Sequence, residues 1–484
     1  MSVSPVAVPA RDTTRNTTRQ TARNATRGAA QPAAGETGRP RLVPVPRAEQ
    51  VRRDPLALLD AELTVPLVTG RTVGYANFDY AASAPCASAA ADAIGDLLPR
   101  YASVHRGAGL PSQLCTRRYE QARDSVSRFL GCRPDDTVLF TRNTTDATNL
   151  LAHALPADAT VVVFDSEHHA TLLPWRRPVR LPVPDSPGAA VRSVDAALRE
   201  LRRGTDGAGP VLVAVTGASN VTGELWPIEN IVTVAHRYGA RVFVDAAQLA
   251  PHRPVDVAAL GVDYVALSGH KLYAPFGAGV LAGRSDWVAA AGPYLAGGGA
   301  TALVGDATND VRWSAGPARH EAGSPNVLGA VALGAVCDAL AAADRDALAD
   351  TERRLTDRLR AGLAAIDGVV ELSLFEPDAA RVGIAAFAVR GIDSDVLAAA
   401  LSAEYGIGVR DGLFCAHPLT RRLLHRAGGD VPATAVRASI GLGTTVEHVD
   451  RLVAAVAELA ANGPQWTYER PEGRPVPVPD PRVW

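Results

Sequence analysis

The sequence predicts an α/β fold, with a mostly parallel sheet covered by helices in a large domain and a smaller α+β domain toward the C-terminus. Two observations predict it. Short apolar runs bounded by turn or polar residues alternate with longer amphipathic stretches over roughly residues 91–327, the pattern of strands buried on both faces. Beyond about residue 328 the texture changes to long Ala/Leu/Arg/Asp helical stretches with fewer strands.

Taken in order, residues 1–50 are rich in Arg, Thr, Ala and Pro with almost no large apolar side chains, so a disordered basic arm is expected. Residues 51–90 are expected to pack with the small domain. Across 91–327, TVLFT (137–141), TVVVF (160–164), VLVAV (211–215), RVFVD (241–245), DYVAL (263–267) and AGVLA (278–282) read as buried strands. NIVTVAHRYGA, after residue 229, reads as a helix between two of them. The small domain, 328–463, opens with one long helix over about 328–366. It continues through VVELS, VGIAAFAVR, another helix, GIGVR and a last helix over about 446–461. Residues 464–484 are Pro-rich and read as an extended tail.

Charge and composition exclude several roles. The 484 residues carry 49 Lys+Arg against 51 Asp+Glu, a formal net charge of −2, so general binding of nucleic acid by phosphate neutralisation is not expected. No run approaches the ~18 apolar residues of a membrane span, and the N-terminus lacks a secretory apolar core, which together predict a cytoplasmic protein. The five cysteines are scattered and form no C-x-x-C pair, so neither a disulfide framework nor a metal site is expected. Four lie in apolar or helical contexts and read as core residues. Cys415 lies instead in RDGLFCAHPL, which reads as a Gly- and Pro-containing loop rather than a periodic helix.

One residue stands out from the composition. Of the 49 basic residues only Lys271 is lysine and 48 are arginine. A surviving lysine suggests chemistry that arginine cannot perform, since a desolvated amine forms a Schiff base and a guanidinium does not; the alternative is a chance survivor on a solvated surface. The local sequence favours chemistry. Lys271 follows the strand DYVAL in Ser268-Gly269-His270-Lys271, and 26 positions earlier RVFVD ends in Asp245, followed by Ala-Ala-Gln248. Doubly wound sheets place ligands at the carboxyl ends of their strands. A lysine and a carboxylate at that rim are what pyridoxal phosphate needs, one for the imine and one to keep the pyridine nitrogen protonated. TVLFT runs into Arg142-Asn143-Thr144-Thr145, where a helix N-terminus can face the phosphate. TVVVF is followed by Asp165-Ser166-Glu167-His168-His169, which brings an imidazole to the same rim.

With NFDYAASAP (77–85), TRNTTDATN (141–149), SEHHATLLPW (166–175), SNVTGE (219–224), VDAAQ (244–248), SGHKLYAPFGAG (268–279), HEAGSPN (320–326), VRDGLFCAHPL (409–419) and VRASIGLGTT (436–445), the chain resembles the class V aminotransferase family over roughly residues 70–462. The resemblance is closest to the branch of cysteine desulfurases and selenocysteine lyases. It implies the fold type I architecture of pyridoxal 5'-phosphate enzymes. It also implies a homodimer with shared active sites, a small amino-acid substrate and a sulfur-acceptor protein.

Carried over by position, Lys271 would hold the cofactor and move the substrate's Cα proton. Asp245 would pair with the pyridine nitrogen, Gln248 would bond the ring hydroxyl, and His168 would stack on the ring as a catalytic residue. Thr144, Thr145, Ser268 and His270 would hold the phosphate, with Ser324 reaching in from the other subunit. Asn220, Arg410 and Arg437 would bind the substrate carboxylate. Cys415 matches the cysteine that takes sulfur from L-cysteine, or selenium from L-selenocysteine, and leaves alanine through a persulfide.

Two departures are evident. Leu413 and Phe414 stand where this branch typically has two histidines, and Asp411 where a small hydroxyl residue is common. They keep a second expectation open: C–S lysis, epimerisation or transamination of another amino acid on the same cofactor. A non-catalytic scaffold is disfavoured, because it has no use for the Lys271/Asp245/Gln248/His168 set.

Overall fold

In the computed structural model, which describes residues 54–203, 209–307 and 309–482, the six apolar runs are all strands of one seven-stranded sheet. The strands are β1 (Asp136–Thr141), β2 (Thr160–Phe164), β3 (Pro178–Leu181), β4 (Val211–Thr216), β5 (Arg241–Asp245), β6 (Tyr264–Ser268) and β7 (Gly279–Arg284). Their order is β1-β7-β6-β5-β4-β2-β3. Only β7 runs antiparallel to its neighbours. The arm expected at 1–50 lies outside the described residues.

The sheet is apolar on both faces because both are covered. Val161 and Val163 of β2 join one core cluster with Leu212, Ala214 and Phe243. Val162 and Phe164 join the other with Val213, Val215, Val242 and Val244. Alternate side chains thus enter different layers, which is why these strands read as unbroken apolar runs. The edge strand β3 was not foreseen; its first residue is Pro178, which an edge tolerates because it lacks an N–H to donate.

A second, four-stranded antiparallel sheet contains β8 (Val369–Leu372), β9 (Ile384–Val389), β10 (Arg410–Gly412) and β11 (Ala435–Ser439), in the order β8-β9-β11-β10. One face, with Phe387 and Val436, packs on Leu359, Leu401 and Leu452 of the flanking helices. Ala76–Asn77 pairs in parallel with Ile407–Gly408, joining the chain's early segment to these late elements.

The single helix expected over 328–366 is two. Val327–Ala342 and Arg345–Ala364 meet at a 90° bend. Asp344 starts the second, its carboxylate accepting from Ala347 N at 2.9 Å, an N-cap that opposes continuation of the first. RDGLFCAHPL, read as a loop, is a strand, a turn and the start of the helix His417–Ala427. The Pro-rich tail folds back as a hairpin, Thr467–Glu469 against Val476–Val478. No single helix among the described residues is long and apolar enough to cross a membrane.

Candidate active site

Strand register sets the site. β4, β5 and β6 end side by side, with Thr216 opposite Asp245 and Asp245 opposite Ala266. Ser268 at the end of β6 lies opposite Gly279, and Gly279 opposite Thr141 at the end of β1. The carboxyl ends of β1, β2, β4, β5 and β6 therefore share one rim, where a cavity of about 330 Å³ opens. Twelve of the thirteen residues expected at the site line it: Thr144, Thr145, His168, Asn220, Asp245 and Gln248 from the sheet's loops, with Ser268, His270, Lys271, Arg410, Cys415 and Arg437. Ser324 does not; it is exposed, in the segment before the helix Val327–Ala342.

At one end the helix Thr144–Ala154 begins against the turn after β6. Asn143 caps it by accepting from Asp146 N at 3.0 Å. Thr144 donates its backbone N–H to Ser268 Oγ at 2.8 Å, and the two hydroxyls are also 2.8 Å apart. The close approach depends on Gly279, whose missing Cβ would lie 2.5 Å from Asn143 Cα. The result is a cluster of hydroxyls and first-turn N–H groups suited to a dianion.

In the centre Asp245 accepts from Thr171 Oγ1 at 2.8 Å and from Ala247 N at 3.0 Å. Gln248 donates its amide to Ala81 O at 2.7 Å, which fixes the side chain and leaves its oxygen to the cavity. Lys271 has no hydrogen-bond or ion-pair partner among the described residues, and its remaining exposure is to the cavity it lines. Burial pushes its ammonium down to about 8, with Asp245 opposing the shift and Arg437 adding to it. Burial, reinforced by Lys271, pushes His168 down to about 4. Its Nδ1 accepts from Ala170 N at 3.0 Å, so the neutral ring carries its proton on Nε2.

At the other end β10 and β11 set Arg410 opposite Arg437. Arg437 is 4% exposed. It donates to Asn220 O at 2.8 Å and to Asp79 Oδ1 at 3.4 Å, while its buried Nε has no partner. A buried guanidinium with an unpartnered N–H is chemically suited to a carboxylate. Beside it stands the Cys415 turn, where Phe414 (φ 53°) and Cys415 (φ 54°) are both left-handed, a conformation costing about 1–2 kcal/mol per non-glycine residue. Two hydrogen bonds hold it: Asn220 Nδ2 to Phe414 O and His169 N to Cys415 O, each at 2.7 Å. Phe414 is buried under Arg437, and Cys415, at the cavity, is exposed.

Sequence reasoning quoted the motifs but missed three contributors. Thr171, one helical turn after His168, orients Asp245. Asp79 supplies a counter-charge to Arg437; burial raises its carboxyl while Arg437 and Arg410 lower it. Glu167, next to His168 in the chain, is fully buried, with Oε1 accepting from Thr216 N at 3.1 Å and Oε2 unpartnered. Burial, with Asp245 adding to it, raises its carboxyl well above the usual range. Only its adjacency to His168 could have flagged it.

The family model Aminotransferase class-V matches residues 76–452. A cysteine desulfurase of Klebsiella pneumoniae (strain 342) is 36% identical over 85% of this chain and 98% of its own length. Another, from Escherichia coli (strain SE11), is 33% identical over 81% and 94%. Among solved structures, an apo cysteine desulfurase from Thermococcus onnurineus NA1 superposes with a TM-score of 0.70 at 29% identity, covering 80% of this chain and 95% of that one. The expected α/β architecture and family resemblance are thereby shown. The chain belongs to the class V aminotransferase family.

Proposed function

We propose that this protein is a pyridoxal 5'-phosphate-dependent cysteine desulfurase that moves sulfur from L-cysteine to Cys415 and releases alanine. The observation that carries the reading is the placement of Lys271, Arg437 and Cys415 around one cavity. The donor set there fits the cofactor: hydroxyls and a helix start for its phosphate, a doubly hydrogen-bonded carboxylate for its ring nitrogen, and an unpartnered amine for its aldehyde. Thr144, Thr145, Ser268 and His270 would hold the phosphate, Asp245 and Gln248 the ring, His168 its face, and Lys271 the covalent link. When bound, pyridoxal phosphate supplies an electron sink for the substrate's Cα.

The chain's own residues account for the rest. Arg437, with its free Nε, and Arg410 bind the substrate carboxylate, and Asn220 holds Arg437 in place. Lys271, with its ammonium held down to about 8, takes and returns the proton at Cα near neutral pH. His168 stays neutral and offers Nε2–H to the cavity. Cys415 directs its thiolate at the substrate sulfur. The new S–S bond forms as the C–S bond breaks, leaving a persulfide on Cys415 and, after protonation at carbon, alanine. L-Selenocysteine presents the same geometry with a weaker bond to break.

We further read the protein as a homodimer in which Ser324, exposed and outside its own cavity, completes the partner copy's phosphate site. A sulfur-acceptor protein then empties Cys415. Residues 91–327 serve as the cofactor domain, and 328–463 with 51–90 as the smaller domain that supplies Arg410, Cys415 and Arg437. Five unpaired cysteines suit the reducing cytoplasm. The test is Cys415→Ala with L-cysteine. Loss of alanine, and of the sulfide set free by an added thiol reductant, supports sulfur transfer to Cys415, whereas undiminished sulfide accompanied by pyruvate in place of alanine would mean C–S lysis without a persulfide.

A further inference from the structure

Cys415 is exposed, and the helix that begins two residues later carries no carboxylate along its length. Its outer stripe is Arg421, Arg422, His425 and Arg426, all exposed, while Leu419, Leu423 and Leu424 are buried beneath. Asp185 is the only carboxylate that pairs with this stripe among the described residues, and a single oxygen serves both Arg422 and Arg426, each at 2.9 Å. Arg421 forms no ion pair among the described residues. Three guanidiniums against one carboxylate leave a positive face on the helix that follows the nucleophile, in a chain whose formal net charge is −2. The excess is therefore local, not a consequence of overall composition.

We propose that this face is the docking surface for an acidic sulfur-acceptor protein, one whose thiol is set among Asp and Glu side chains. The inference rests on the reading of Cys415 as the sulfur-carrying residue. A solvated basic helix needs no partner, but this one starts beside a group that must be visited by another thiol after each turnover. A nucleic acid would meet the same charge and has no thiol to offer. The partner's thiolate attacks the outer sulfur of the Cys415 persulfide. An S–S bond forms to the partner, the bond to Cys415 breaks, and its electron pair leaves on the Cys415 sulfur as thiolate. No outside oxidant or reductant enters. The charged face accelerates encounter, with steering effects of about 10–1,000-fold that shrink as salt shortens the Debye length from about 10 Å at 0.1 M.

The test loads the cofactor-bound full-length protein with one equivalent of L-cysteine and follows discharge of the Cys415 persulfide to two synthetic peptide thiols. In one peptide the cysteine is flanked by aspartates, in the other by serines. The expected result is discharge roughly tenfold or more faster to the acidic peptide, falling toward parity in high salt. In Arg421→Glu/His425→Glu the ratio of the two rates should also fall to about one, the serine peptide reporting within the same sample that Cys415 still works. Equal rates in the parent protein, or a preference that survives both high salt and the double substitution, would overturn the assignment of this face. If no persulfide forms on Cys415 at all, the desulfurase reading fails, and the inference with it.

Discussion

Asn220 uses both ends of one residue to join the two halves of the substrate site: its side-chain amide donates to Phe414 O at 2.7 Å, and its carbonyl accepts from Arg437 at 2.8 Å. The turn that presents Cys415 and the guanidinium proposed to meet the substrate carboxylate are thereby held by one residue. In Asn220→Ala the Phe414 carbonyl loses its buried donor, at a cost of roughly 1–3 kcal/mol. Lower thermal stability and a KM for L-cysteine about tenfold higher are expected. An unchanged KM would separate the turn from substrate binding.

Arg437 gives a second prediction. In Arg437→Lys the charge is kept and the fork is lost, so the substrate carboxylate is held at one point instead of two. Breaking a buried, hydrogen-bonded charge contact costs roughly 2–5 kcal/mol. The expected outcome in steady-state kinetics is a fall in kcat/KM of at least about thirtyfold, most of it in KM.

The lysine predicts a pH dependence. Because burial lowers the Lys271 ammonium to about 8, the neutral amine that would take up the proposed cofactor becomes more abundant as pH rises toward that value. Cofactor loading of stripped protein, followed by its visible absorbance, should speed up by about tenfold per pH unit below about 8 and then level off. The same shift acts on stability. Between about 8 and the ordinary lysine value of 10.5 the unfolded chain binds more protons than the folded one, so the stripped protein gains stability as pH rises through that window. Lys271→Arg should neither load covalently nor turn over.

Gly279 tests the phosphate end. A Cβ there would stand 2.5–2.7 Å from the Asn143 backbone, so Gly279→Ala must push the start of the helix Thr144–Ala154 away from Ser268. Overpacking of this kind costs about 1–3 kcal/mol. Weaker cofactor retention on dialysis is expected alongside a lower Tm, because the same displacement separates Thr144 from Ser268.

Much of this was legible in the sequence because local and tertiary demands coincide. TVVVF and RVFVD occur as strands over the stretches read for them, since a strand covered on both faces must be apolar at every position. Lys271 stood out because it sits in the turn just after a strand, in a chain that otherwise uses arginine. The break at Ala343 was hidden inside a run of good helix formers, and Asp344 would have signalled it as an N-cap. The helix after Cys415 was masked by the Gly and Pro around it. Yet Pro418 suits a first turn, and Leu419, Leu423 and Leu424 against Arg421, Arg422 and His425 is helical spacing. Thr171, Asp79 and Glu167 act on residues far away in the chain, and periodicity carries no trace of such contacts.

On the proposed reading, sulfur passes through Cys415. Mixing the cofactor-loaded protein with one equivalent of L-cysteine, quenching, and measuring intact peptide masses tests it most directly. The expected result is a gain of one sulfur atom on the peptide containing Cys415, matched by release of one alanine per site. Alanine released in that amount with no added mass on Cys415 would contradict it.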